Sequence, residues 1–252
     1  MSSKIKHKIS MSPNYHWQCA QDTHRGNLRQ KNEDAVYGSA ANGIWLVADG
    51  MGGHNAGEYA SESIARSLAE VTLHHRLTDC VDAVEDRLLE VNDHLRQHAR
   101  LHCDGQTVGS TVVVLIVRDG VGVVLWAGDS RLYRSRQGRL ELLTRDHNPV
   151  ADLYEIGGVS EAEMLATDTN VITRAVGGQT ELHLDIAAFD IEPGDTMMLC
   201  SDGLYREVDH QDLCAAMQED VDRCVAQLMR KCLGGAARDN VSLVVARAGA
   251  GL

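Results

Sequence analysis

The chain has 252 residues, 44% of them hydrophobic, with a formal net charge of −12 and aromatic residues at only 4%. That length gives one large domain or two small ones, with enough apolar material for a sizeable core. The negative balance excludes nucleic acid and anionic membrane as main partners, and a single Phe leaves no stacking platform for single strands.

Taken in chain order, residues 1–16 read as a basic, irregular tail with no 7–15-residue apolar core, so no signal peptide is expected. A buried strand, Ile44–Ala48, runs into Asp49-Gly50. Two helices follow at Ser61–His75 and Val81–Leu101. In the second, Val81, Val84, Leu88, Val91 and Leu95 recur at steps of three and four, with Thr78 placed as N-cap. Thr111–Val117 and Val121–Ala127 form a hairpin about Asp119-Gly120, and Arg131–Arg134 pairs with Leu140–Leu143 about Gln137-Gly138. From Asp146 to about Asn170 the pattern turns polar and broken, a surface flap with a short capped helix at Ser160-x-x-Glu163. Strands return at Leu184–Phe189 and Thr196–Cys200. A helix over Val221–Leu233 stops at Gly234-Gly235, and Val241–Ala246 closes the order. Serial hairpins with paired helices between them predict antiparallel sheets with helices outside, not a βαβ repeat. Seven scattered cysteines without a C-x-x-C pair read as reduced buried thiols, and no apolar run nears the ~18 residues of a membrane span. A soluble, cytoplasmic protein is expected.

Four of these strands share one device. Asp49-Gly50 and Asp202-Gly203 follow apolar runs, Gly128-Asp129 follows a third, and Asp239-Asn240 precedes a fourth. A lone ionised carboxylate at the rim of a buried strand is costly, and several converging would repel one another. Divalent cations resolve the conflict, because hard cations take oxygen ligands and offset the charge. Upstream, Arg29-Gln30-Lys31-Asn32-Glu33-Asp34 adds two carboxylates and a guanidinium suited to capture of a tetrahedral oxyanion. The alternatives are turn Asp-Gly pairs with no ligand role, and an Arg29–Glu33 ion pair.

In order, Arg29–Asp34, Val47–Gly53, Gly109–Val113, Ala127–Arg131, Ile172–Gly178, Ser201–Leu204 and Asp239–Leu243 resemble the motifs of the metal-dependent protein phosphatases, the protein phosphatase 2C family, in their compact bacterial form. The resemblance spans about residues 17–247. It implies an α+β fold, a four-layer α-β-β-α sandwich of two antiparallel sheets flanked by helix pairs, as a single catalytic domain over 17–252. It implies two Mn²⁺ or Mg²⁺ ions: Asp49 bridges them, the Gly50 carbonyl serves one, Asp202 and Asp239 the other, and Glu33 and Asp34 act through coordinated waters. Asp129 with Asp202 would match a third, weaker site, and Arg29 the phosphate-binding arginine. Activity would be hydrolysis of phosphoserine or phosphothreonine by a water between the two ions, opposing a bacterial serine/threonine kinase, in a monomer. One departure is Met51, where eukaryotic relatives often carry a His proposed as general acid. Competing readings are a regulatory phosphatase of an anti-sigma-factor antagonist and a binding-only pseudophosphatase, which would have lost ligands among Asp34, Asp49, Asp202 and Asp239. His54 and His147 lie near the motifs without a catalytic role, the His94/His98/His102 stripe reads as a solvated face, and Cys200 as a core thiol.

Overall fold

The structure is a computed structural model describing residues 15–52, 56–71, 75–160, 163 and 171–249. Among these, two antiparallel sheets form. One orders β1 (His16–His24), β11 (Val241–Gly249), β10 (Thr196–Cys200), β7 (Arg131–Arg136) and β8 (Arg139–Leu142) side by side. The other orders β2 (Asp34–Ser39), β3 (Ile44–Met51), β5 (Val112–Arg118), β6 (Val121–Ala127) and β9 (Asp185–Asp190), with the short β4 (Gly109–Ser110) pairing the end of β3. Helices α1 (Ala56–Ala69) and α2 (Leu77–His102) cover the second sheet. The first is covered by α4 (Asp202–Tyr205), α5 (His210–Ala216) and α6 (Val221–Gly234); α3 (Pro149–Glu155) lies in the flap region.

The strand period of two builds the layers. In β3, Ile44, Leu46 and Ala48 pack toward α1 and α2, while Trp45 and Val47 enter the layer between the sheets. β5 and β6 divide their residues the same way. In β11, Val241, Leu243 and Val245 face the α6 side, and Val244, Ala246 and Ala248 the inter-sheet layer. This accounts for strands that are antiparallel yet apolar on both faces: each sheet is sandwiched between the other sheet and a layer of helices. Full burial of each such Leu, Ile or Val contributes about 1.5–3 kcal/mol. The α-β-β-α order is the architecture expected from the motifs.

Both hairpin turns fall where expected. Asp119 and Gly120 have φ of 51° and 79°, and Gln137 and Gly138 have 51° and 78°. Two successive left-handed residues twist with the strands they join. β10 and α6 match their expected bounds closely.

Other elements differ. Tyr15 and His16, assigned above to the tail, already belong to the fold, His16 paired with Gly249. α1 begins at Ala56, not Ser61, and ends at Ala69. α2 has Arg76 at its N-cap with no side-chain cap, and the Thr78 hydroxyl instead donates to Asp79 Oδ1 at 3.2 Å. In the flap, α3 was not expected. It starts at Asn148, whose side chain accepts from the Val150 and Ala151 amides, with Pro149 at the first position, where a missing N–H costs nothing. The Ser160–Glu163 capping pair forms, Ser160 N donating to Glu163 Oε2 at 2.8 Å and Glu163 N to Ser160 Oγ at 3.3 Å. Residues 161, 162 and 164–170 of the flap lie outside the described residues. Among the described residues no helix is long and apolar enough to cross a membrane.

Candidate metal centre

One end of the sandwich gathers the strand ends that carry acids. Asp34 opens β2 directly opposite Asp49 of β3 in the antiparallel register. β10 ends at Cys200, so Ser201 and Asp202 open α4 at the same edge. Asp239 and Asn240 lead into β11, next to β10. Gly128-Asp129 follows β6. A cleft of about 770 Å³ is lined by Arg29, Glu33, Asp49, Gly50, Asp129, Asp202 and Asp239, seven of the eight site residues expected from the sequence. The eighth, Asp34, is 7% exposed beneath them, and its Oδ2 accepts the Ser201 hydroxyl at 2.8 Å.

Close backbone approach makes the floor. A Cβ on Gly50 would stand 2.2 Å from the Gly57 carbonyl oxygen and 2.4 Å from that of Glu33, so only glycine fits. The Gly50 amide donates to the Glu33 carbonyl at 3.0 Å, locking the Arg29–Asp34 stretch to the end of β3.

Electrostatically the site is unbalanced. Burial, opposed by hydrogen bonds from Ser242 and Ser201 and reinforced by Asp202 and Asp239, pushes Asp34 up to about 7. Asp49 is held well above the usual carboxylate range by burial and then by Asp34, Asp202, Asp129 and Asp239. Asp129 is pushed up to about 7 by burial, with Asp202 and Asp146 adding and Arg206 opposing. Burial also raises Asp202, with Arg206 opposing. Two guanidiniums pair with these acids. Arg29 Nη2 donates to Asp239 Oδ2 at 2.8 Å, so its partner is Asp239 and not Glu33. Arg206 lies 3.2 Å from Asp202 and 3.5 Å from Asp129, the two residues expected at a third, weaker site.

The donors fit hard divalent cations. Among the described residues, Asp34 Oδ1 and Asp202 Oδ1 are buried without a hydrogen-bond partner, a costly arrangement that a bound cation relieves. Six carboxylates against two ion-paired guanidiniums leave an excess of four negative charges, the amount two divalent ions carry. Among the described residues no three His, Cys, Asp or Glu side chains already surround one point closely enough to hold a metal alone. Backbone carbonyl and water oxygens must complete such shells, as is usual for Mg²⁺.

Several supporting residues were not singled out in the sequence. Asn240 is 6% exposed, accepts the Glu33 amide at 2.8 Å and donates to the carbonyls of Arg25 and Lys31 at 3.0 and 2.8 Å, holding the 25–33 loop to β11. Thr111 Oγ1 accepts the Asp49 amide at 3.1 Å and bonds the Ser130 hydroxyl. His147 is a structural clamp: its Nδ1 accepts the Gly128 amide at 3.1 Å, and its ring stacks on Trp126. The signal for Asn240 and Thr111 was their place inside the quoted motifs. His54 lies outside the described residues. His94 and His102 of the His94/His98/His102 stripe are exposed, as a solvated face requires, and Tyr59 covers it in part, bonding His94 at 2.7 Å and stacking on His98. Met51 lines the cleft, and no histidine lines it among the described residues. Burial pushes the Cys200 thiol up to about 12, leaving it inert.

The family model for protein phosphatase 2C matches residues 21–237. The chain belongs to the protein phosphatase 2C family. This phosphatase is a hydrolase, and similar proteins include the serine/threonine phosphatase stp of Listeria welshimeri, 33% identical over 199 residues, 76% of this chain and 79% of that one. Among solved structures, PppA, a key regulatory component of T6SS in Pseudomonas aeruginosa, is 39% identical over 92% of this chain and 98% of its own, with TM-score 0.85. The catalytic domain of the phosphatase PstP in complex with two manganese ions is 30% identical over 92% and 98%, with TM-score 0.80.

Proposed function

We propose that this phosphatase hydrolyses phosphoserine and phosphothreonine in proteins at a centre of two Mn²⁺ or Mg²⁺ ions, with residues 15–249 acting as one catalytic unit. The observation that carries this reading is the convergence of Glu33, Asp34, Asp49, Asp129, Asp202 and Asp239 at one cleft, with buried carboxylate oxygens left unpartnered. Asp49 and the Gly50 carbonyl, with Asp202 and Asp239, would hold the ions, and Glu33 and Asp34 would orient their waters. When bound, such a pair supplies Lewis acidity and brings a water's ionisation toward neutral pH.

The chain's own groups do the rest. Arg29, 55% exposed at the side chain, swings from Asp239 to phosphoryl oxygens and presents two parallel donors to them. Its pairing with Asp239 is one exposed contact, so exchanging it for phosphate costs little. Ser201 and Asn240 hold Asp34 and the Glu33 backbone in place, so acids of the loop and of β2 keep their geometry through turnover. Met51 carries no proton to give, so the leaving alkoxide takes its proton from solvent or a bound water. On this reading the protein is a cytoplasmic monomer that opposes a serine/threonine kinase. The likeness to stp supports the serine/threonine phosphatase activity, and that to PppA, a key regulatory component of T6SS, a regulatory role in a secretion system.

The test is hydrolysis of p-nitrophenyl phosphate and of phosphothreonine peptides with Mn²⁺, with excess chelator, and in Asp49→Asn. Turnover is expected only with metal, and Asp49→Asn is expected to lose at least about a hundredfold in kcat while its circular dichroism is unchanged. Chelator-insensitive turnover, or near-normal rates in Asp49→Asn, would overturn the reading.

A further inference from the structure

We propose that the Arg206 guanidinium is a built-in cation of the Asp129–Asp202 corner, standing where a third divalent ion would otherwise bind, so that this cleft takes up two ions and not three. The inference rests on the two-ion reading of the same cleft.

The geometry is specific to this arginine. Arg206 caps α4, its amide donating to the Asp202 carbonyl at 3.1 Å, four residues after Asp202 and one helical turn away. Its Nε lies 3.2 Å from Asp202 Oδ2 and its Nη2 3.5 Å from Asp129 Oδ2. One planar group therefore spans two carboxylates that come from different sheets. The corner around it is tied down. The Tyr205 hydroxyl donates to the Asp129 carbonyl at 3.0 Å, and Arg131, held by two hydrogen bonds to Asp146, stacks 3.7 Å from the Tyr205 ring centroid.

A divalent ion held by the same two oxygens meets the guanidinium directly. Either it displaces Arg206 and breaks both pairs, or it does not bind. Displacement is hindered, because the side chain is only 27% exposed and its backbone is fixed one turn from Asp202. Arg29 is the contrast: at 55% exposure and with a single carboxylate partner among the described residues, it can leave for phosphate. The arrangement also divides labour within Asp202. Oδ2 faces Arg206, while the buried Oδ1, without a hydrogen-bond partner among the described residues, is left for the ions of the main centre. A covalently attached cation does not wash out, so the corner stays neutralised at metal concentrations where a weak, solvent-rich site would be empty.

Equilibrium dialysis of the full chain against Mn²⁺, with electron paramagnetic resonance counting bound ions, tests this. The unaltered chain is expected to saturate at two ions. Arg206→Gln is expected to take up a third, half-saturating at an Mn²⁺ concentration at least roughly tenfold below any third binding by the unaltered chain. Adding Asp129→Asn to Arg206→Gln should return the count to two, and Arg206→Lys, which keeps the charge, should stay at two. Three ions on the unaltered chain, or two on folded Arg206→Gln, overturns the inference while leaving the two-ion reading intact. Fewer than two on the unaltered chain overturns both. Should Arg206→Gln fail to melt cooperatively, the counts for the unaltered chain and Arg206→Lys decide the matter, since three in either is contradictory.

Discussion

Arg29 and Arg206 meet carboxylates of the same cleft, yet their surroundings assign them different work. Arg29 comes from a loop held by its backbone, the Arg25 guanidinium donating to the Arg29 carbonyl at 2.7 Å, and its own head group is exposed. The hydrogen bond to Asp239, less the cost of burial, raises its pKa, so it is charged at every pH of interest. Replacing it with alanine removes a contact made equally to bound phosphate in ground and transition states. Arg29→Ala is therefore expected to raise KM for phosphopeptides about ten- to a hundredfold with kcat changed less, read from steady-state kinetics. A variant that lost thermal stability but kept its KM would make the Asp239 pair structural only. The motif R-x-x-N-E-D put Arg29 at this cleft from sequence alone. It could not name Asp239 as the partner, because that pairing spans 210 residues and depends on β11 lying beside β1 and β10.

The junction of β3 with α1 shows where elements, not single side chains, set the site. Gly57 stands in the first turn of α1, where glycine-to-alanine on an open helix would gain about 1 kcal/mol. Here an added Cβ would lie 2.8 Å from the Gly50 carbonyl carbon and 2.9 Å from Glu33 Oε1. The helix would have to back away from the strand that carries Asp49. Gly57→Ala is expected to lower stability by about 1–3 kcal/mol in urea unfolding and to reduce turnover with it. A more stable variant with full activity would contradict the close approach. The same junction explains what the sequence concealed. The Gly-rich stretch after Asp49 and Gly57 itself offer no apolar face, so the sequence places the helix start at Ser61, where the structure begins it at Ala56. β1 escaped notice because it lies at the edge of its sheet with several residues exposed, and its polar sequence offers no apolar run. The hairpins, β10 and α6 were legible because turn chemistry or an apolar face fixed them locally. The Asp239–Leu243 motif brings Asn240 to the cleft but not its role, since its three side-chain hydrogen bonds reach a loop more than two hundred residues away.

Across the whole molecule the gathered acids make stability depend on pH and metal together. Asp34 and Asp129 are pushed up to about 7, the first by burial against two serine hydrogen bonds, the second by burial with Asp202 and Asp146, and Asp49 is raised as well. In the unfolded chain these groups ionise near about 3.9. Between about pH 4 and pH 7 the folded, metal-free protein thus binds more protons than the unfolded chain, and its unfolding free energy falls as pH rises. His147 works in the opposite sense, because burial lowers its pKa despite the Asp185 contact, so the folded state binds fewer protons below about 6.5. His98, lowered by burial and by His102 and His94, adds to that opposing sense, and Asp202 is raised with the other acids, so two histidines stand against four carboxylates and the acids dominate. Asp185 and Asp190, lowered below the usual carboxylate range, act only under about pH 4 and do not enter. With Mn²⁺ present the sign reverses, since ions need the carboxylates ionised and stabilise by RT ln(1 + [L]/Kd), a term that grows as protons leave. Thermal melts in chelator are therefore expected to give a Tm that declines from about pH 5 to about pH 7.5, and melts in millimolar Mn²⁺ a Tm that climbs over the same range. A chelated protein whose Tm climbs steadily, or one whose Tm ignores Mn²⁺ at about pH 7.5, would mean that these acids do not share one unneutralised cleft.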